Sequence, residues 1–172
     1  MSTLALRQRL VEIARRDVGQ FETSPNHGEF IKKYWPATTY PEGYADRQPY
    51  CAAAQCYFLK EWLKDPEVLA ALKMTPAQAE AWRCKSAAAY GWLTWAKEKG
   101  LLVMSDALTN VLHTGDLVVF DFSHIGMVYD DYKDRIKTIE ANTGPSGGRD
   151  GDGVWDKDRP REIARAFIRL LA

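Results

Sequence analysis

No run of apolar residues in this chain is long enough to cross a bilayer, so no membrane span is expected. The first residues, Met1-Ser2-Thr3-Leu4-Ala5-Leu6-Arg7-Gln8-Arg9, hold neither the apolar core nor the small-residue cleavage site of a signal peptide. The expected route is therefore synthesis in the cytoplasm, with any later exit independent of a cleaved signal. Charge of one sign is also missing. Twenty-three basic and 23 acidic side chains cancel to a formal net charge of zero, without the basic excess of a nucleic-acid binder, so no nucleic-acid partner is expected. Cysteine is scarce. Cys51, Cys56 and Cys84 form an odd set with no repeated spacing, which excludes a disulfide framework. Cys51 and Cys56, five apart, project in different directions from a helix and do not pair, and Cys56 and Cys84 read as buried small hydrophobes. His27, His113 and His124 are scattered, so no metal set and no cofactor are expected. Repeats, charge blocks and dividing linkers are lacking as well, and residues 1–172 read as one domain able to bury a core.

The first hundred residues carry helical spacing. Leu6, Leu10, Ile13, Ala14 and Val18 make one stripe over 3–18, which Gly19 ends. Thr23 to Gly28 is a turn, a short helix follows from Glu29 to Tyr34, and 36–49 with three prolines is an irregular loop. A helix begins at Cys51 and runs to about Lys64 on the stripe Ala52, Cys56, Leu59, Leu63. The charged stretch between Lys64 and Thr75 has no assignment. Thr75-Pro76-Ala77-Gln78 is a helix start with a Thr cap, Pro at the first position and Gln three after the cap. Ser86 to Lys99 is a further helix, closed by Gly100. Beyond it the pattern turns to β over 116–121, 125–130, 135–142 and 163–171, with a glycine-rich loop from Asn142 to Gly153. Helices first and then a small antiparallel sheet is an α+β layout. Most Trp and Tyr rings are expected in the core.

Three side chains in this order suggest chemistry. Cys51 opens a helix, where outward N–H groups and the positive end of the macrodipole favour thiolate over thiol. On the two later strands His124, Gly126 and Val128 share one face, and Ile136, Thr138, Glu140 and Asn142 share one face. If those strands are neighbours, His124 and Glu140 can meet on one side. A carboxylate on one imidazole nitrogen would fix the tautomer, leaving the other to face the sulfur, and Gly126 would keep the strand surface low beside them. Each residue has a plainer reading too: a buried structural thiol, a histidine satisfied by hydrogen bonds, a solvent-facing carboxylate. Arg149-Asp150-Gly151-Asp152-Gly153 and Asp156-Lys157-Asp158 suggest calcium ligands but lack the alternation and closing Glu of an EF-hand loop, so a solvated turn is the better reading.

Pro49-Tyr50-Cys51-Ala52-Ala53, Gly115-Asp116-Leu117-Val118, His124-Ile125-Gly126 and Ile139-Glu140-Ala141-Asn142-Thr143 together resemble the CHAP family, the cysteine, histidine-dependent amidohydrolases/peptidases that cut peptidoglycan. Val18-Gly19-Gln20-Phe21-Glu22, Asn26-His27-Gly28 and Ile31-Lys32-Lys33-Tyr34 are similar too, so the likeness spans about residues 8–170. Tyr50 stands where Trp often precedes the cysteine, and Ala141 where Gly is frequent. The resemblance implies a papain-like fold, Cys51 as nucleophile, His124 as general base and then acid, and Glu140 as orienting group, with Asn142 as a further polar member. The implied reaction is amide hydrolysis, by an N-acetylmuramoyl-L-alanine amidase or an endopeptidase acting on peptidoglycan or its stem peptides. The Cys51 N–H would be the first oxyanion donor, Gln48 is a candidate second, and Tyr50 would border the substrate. Such an enzyme would act at the wall or in the periplasm after lysis, export or injection. It would be a phage lysin or a secreted effector, and an effector would need an immunity protein in its producer. Two alternatives are a cysteine hydrolase or protease on a non-wall amide, and a catalytically silent module that binds wall fragments or a partner.

Overall fold

The computed structural model describes residues 2–148 and 150–172. Ser2 caps α1 (Thr3–Arg15) by accepting from the Ala5 N–H, and Leu6, Leu10, Val11 and Ala14 are its buried face. The stripe expected to reach residue 18 breaks at Arg15. Asp17 and Val18 make tighter three-residue bonds to Ala14 and Arg15, and Gly19 turns left-handed at φ 88°. Three short 3₁₀ turns follow, Glu29–Lys33, Trp35–Ala37 and Pro41–Tyr44, so part of the expected loop over 36–49 is tightly wound.

Central to the molecule is α2 (Cys51–Trp62). Nine of its twelve residues are buried, so it is enclosed on nearly every side instead of along the single stripe read from sequence. The Trp62 indole N–H donates to the Leu6 carbonyl (2.8 Å) and ties α2 to α1. The unassigned stretch contains α3 (Pro66–Leu72). Its signals are ordinary: Asp65 caps it by accepting from the Glu67 N–H (2.9 Å), Pro66 is first, and Lys73 ends it left-handed. In α4 (Pro76–Trp82) both halves of the Thr75–Gln78 capping box are formed. The last helix, α5 (Ala89–Glu98), starts three residues later than expected because the chain over 84–88 runs extended or bent beside a cavity.

The sheet has six strands, β1 (Leu102–Met104), β2 (Leu117–Phe120), β3 (His124–Asp131), β4 (Arg135–Thr143), β5 (Gly153–Pro160) and β6 (Ala164–Arg169). Their order is β1-β6-β2-β3-β4-β5 and every neighbouring pair is antiparallel. This is the expected α+β class with two strands more than the sequence reading found. The missing ones are the two edges: β1 has only three residues, and β5 carries Asp156, Lys157, Asp158 and Arg159. Alternation divides the apolar side chains between the two faces. Leu117, Val119, Ile125, Met127, Ile139 and Ala141 join the core that contains α1, α2 and α5. Val118, Phe120, Val128, Ile136 and Phe167 form a second cluster with Met104 and Leu112.

Candidate active site

Antiparallel pairing sets Met127 opposite Ile139 and Val128 opposite Thr138. Continuing that register, Gly126 faces Glu140, and His124 lies diagonal to it on the same face. The His124 Nε2–H donates to Glu140 Oε2 (2.9 Å), because an ionised carboxylate only accepts. Both side chains have no exposure to solvent. Gly126 is needed there: a Cβ at that position would lie 2.7 Å from Glu140 Cγ.

The other imidazole nitrogen, Nδ1, is buried and has no partner in normal hydrogen-bond geometry. It belongs to the ring that interacts with Cys51 by charge and by a looser hydrogen bond. A contact of this kind is expected of a nucleophile–base pair without substrate. Cys51 is the first residue of α2, at the end of a helix whose first N–H groups have no partner within the helix. Burial alone would lower the pKa of His124. The charge and hydrogen bond of Cys51, and then those of Glu140, outweigh it and raise it to about 9. The imidazole ring lies nearly parallel to Phe120 (5.9 Å) and Phe122 (5.7 Å), which fixes its plane.

Glu140 has every acceptor position engaged. Thr138 Oγ1 (2.5 Å) and Arg159 Nε (2.9 Å) donate to Oε1, while His124 Nε2 and Arg159 Nη2 (2.5 Å) donate to Oε2. Burial would raise this carboxyl's pKa. The Arg159 fork, then His124, more than reverses that and holds it at about 2. Arg159 was not among the residues singled out from sequence. It sits on an edge strand that the β pattern did not reveal, and only the pairing of β4 with β5 brings it to Glu140. Thr138 did have a signal, being two residues before Glu140 on one strand face.

The remaining candidates are placed differently. Gln48 lines a cavity of about 610 Å³ together with Cys51, Trp35, Tyr40, Ser86 and Trp95. Its side-chain amide donates to the Asp46 carbonyl (3.2 Å), so it must turn away to serve an oxyanion. Tyr50 is fully buried. Its ring packs edge-on to Phe30 and parallel to Tyr34, and its hydroxyl faces Glu22 and the Asn142 N–H outside normal hydrogen-bond geometry. From there it packs behind the backbone that precedes Cys51. Asn142 is also buried, at a bulge after Ala141, with a left-handed φ of 59°.

Among the described residues no group of three or more His, Cys, Asp and Glu converges as a metal set. In the stretch compared above with calcium ligands, Arg149 lies outside the described residues. Asp156 and Asp158 belong to β5 and not to a turn, and they pair with Tyr129 (2.6 Å) and with Arg135 (2.5 Å) and Lys137 (3.0 Å). Cys56 and Cys84 are buried free thiols. No family model, curated protein or solved structure matches this chain.

Proposed function

We propose that this chain is a cysteine-dependent amidohydrolase of the CHAP kind, papain-like in fold, that cleaves an amide bond of the peptidoglycan peptide. The observation that carries this reading is one imidazole between a helix-opening sulfur and a fully engaged buried carboxylate. In the proposed reaction the Cys51 thiolate attacks the carbonyl carbon, and the oxyanion is met by the Cys51 backbone N–H at the start of α2. His124 then gives its proton to the departing amine, which leaves an acyl-enzyme. Next it takes a proton from the water that clears the thioester. Glu140 keeps the Nε2–H in place and stabilises the imidazolium. The cavity beside Cys51, with Trp35, Tyr40 and Trp95 on its walls, is roomy enough for part of a stem peptide.

Incubation of purified protein with isolated sacculi tests this. Wild type is expected to release soluble fragments, and Cys51→Ala to release none. Equal release by both removes Cys51 from the mechanism. No release by either favours another amide substrate or a binding role. Mass spectrometry of the fragments distinguishes the amidase from the endopeptidase.

A further inference from the structure

Arg159 reaches past the catalytic carboxylate. While Nε and Nη2 grip Glu140, Nη1 donates to the Gly147 carbonyl (2.6 Å). The guanidinium is held against Phe120 (5.4 Å) and Phe122 (5.8 Å). Gly147 belongs to the loop 144–148, whose carbonyls are bound by β-strand side chains. Lys157 Nζ donates to Gly144 (2.8 Å) and Pro145 (3.1 Å), and Thr143 Oγ1 donates to Gly148 (2.8 Å). Residues 144–146 of this loop form a wall of a second cavity, of about 500 Å³, opposite Glu22, Asn26 and Asp152. The contact between loop and guanidinium is close. Gly147 has φ +80°, and a Cβ on it would lie 2.4 Å from Arg159 Nη1.

Charge balance gives this geometry a consequence. An anionic sulfur, a cationic imidazole and an anionic Glu140 would leave the buried cluster one negative charge in excess, and Arg159 cancels it. Uncompensated charge is costly among buried groups. The groups that face His124 and Glu140 are Cys51 from α2, Arg159 and more distantly Lys157 from β5, and the uncharged Thr138, Phe120 and Phe122. Arg159 is thus a cation in direct contact with both carboxylate oxygens, sharing Oε2 with His124. We propose that Arg159 is a positioning residue that holds Glu140 ionised and aligned for His124, and that the loop 144–148 sets where Arg159 sits. This rests on the reading of Cys51, His124 and Glu140 given above.

Alkylation of Cys51 by iodoacetamide, followed across pH on the full chain, tests it without any substrate. Peptide mass spectrometry separates Cys51 from Cys56 and Cys84, and circular dichroism melts report folding. With Arg159→Met the acid limb of the rate is expected to move up by about one pH unit, a loss of about tenfold at a fixed pH on that limb. Gly147→Ala is expected to move it in the same direction by less, and Arg159→Lys, which keeps the charge without the fork, to recover part of the loss. Superimposed acid limbs in wild type and folded Arg159→Met overturn the proposal. If Arg159→Met does not fold, Gly147→Ala decides, and an unchanged limb there overturns it. A wild-type alkylation rate no different from that of folded His124→Gln at every pH would instead reject the Cys51–His124 pair itself.

Discussion

A carboxylate taken out of water must have its lone pairs met by donors, and Glu140 meets this demand with Thr138, His124 and two nitrogens of Arg159. So many donors leave it little freedom, and that rigidity is passed to the imidazole through one 2.9 Å bond. Gly126 is the weak point of the arrangement, because Glu140 Cγ occupies the space a side chain would need. Gly126→Ala is expected to cost about 1–3 kcal/mol of stability by overpacking, and to slow the alkylation of Cys51 by displacing Glu140. Urea unfolding and thiol labelling measure the two effects. Much of this was legible before the fold was known. Period-two alternation puts His124, Gly126 and Glu140 on usable faces, and a cysteine at a helix start needs only local pattern. Tyr50 was ambiguous for a definable reason: a polar-tipped ring beside the cysteine reads equally as a substrate contact or as core, and its packing on Phe30 and Tyr34 is a tertiary fact.

At the scale of elements, the helices follow their punctuation. The Thr75–Gln78 box starts α4 where the sequence places it, and Gly100 ends the segment of α5 with φ 66°. Thr75→Ala removes the oxygen that accepts from the Gln78 N–H (3.2 Å). It is expected to lower stability by about 1 kcal/mol, read as a drop in melting temperature, while the pH profile of Cys51 alkylation stays that of wild type. The edge strands were illegible because edges are built to look unlike strands. In β5, outward charges discourage pairing with another chain, and these same charges hide the β pattern. Its Arg159 was lost with it. The late start of α5 has a similar origin: Ser86 Oγ accepts from the Ala88 N–H (3.2 Å), a local bond that competes with helix and keeps the cavity wall irregular.

Across the whole molecule, the buried pair of His124 and Glu140 links stability to pH. His124 is raised to about 9 from 6.5, against the effect of burial and through Cys51 and Glu140. Its contribution is whole below pH 6.5 and is lost as pH rises through about 9. Glu140 is lowered to about 2 from 4.5, again against burial and chiefly through Arg159. Its contribution is whole above pH 4.5 and is lost as pH falls through about 2. Both stand in full only between these limits. Melting temperature scanned from acid to alkali is expected to fall on both sides, and His124→Gln to flatten the alkaline fall. A wild-type curve still level above pH 9 would contradict the charged pair. The amino-acid order by itself determined the α+β class, the starts of α1, α2 and α4 and the faces of His124 and Glu140, because turn chemistry and periodicity act over a few residues. Only the tertiary structure decided that α2 is enclosed on nearly every side, that β5 forms an edge of the sheet beside β4, and that Arg159 and the loop 144–148 stand behind Glu140. Those contacts join residues with no periodic relation in the chain, and a buried charge finds its partner through strand pairing, which short-range pattern does not encode.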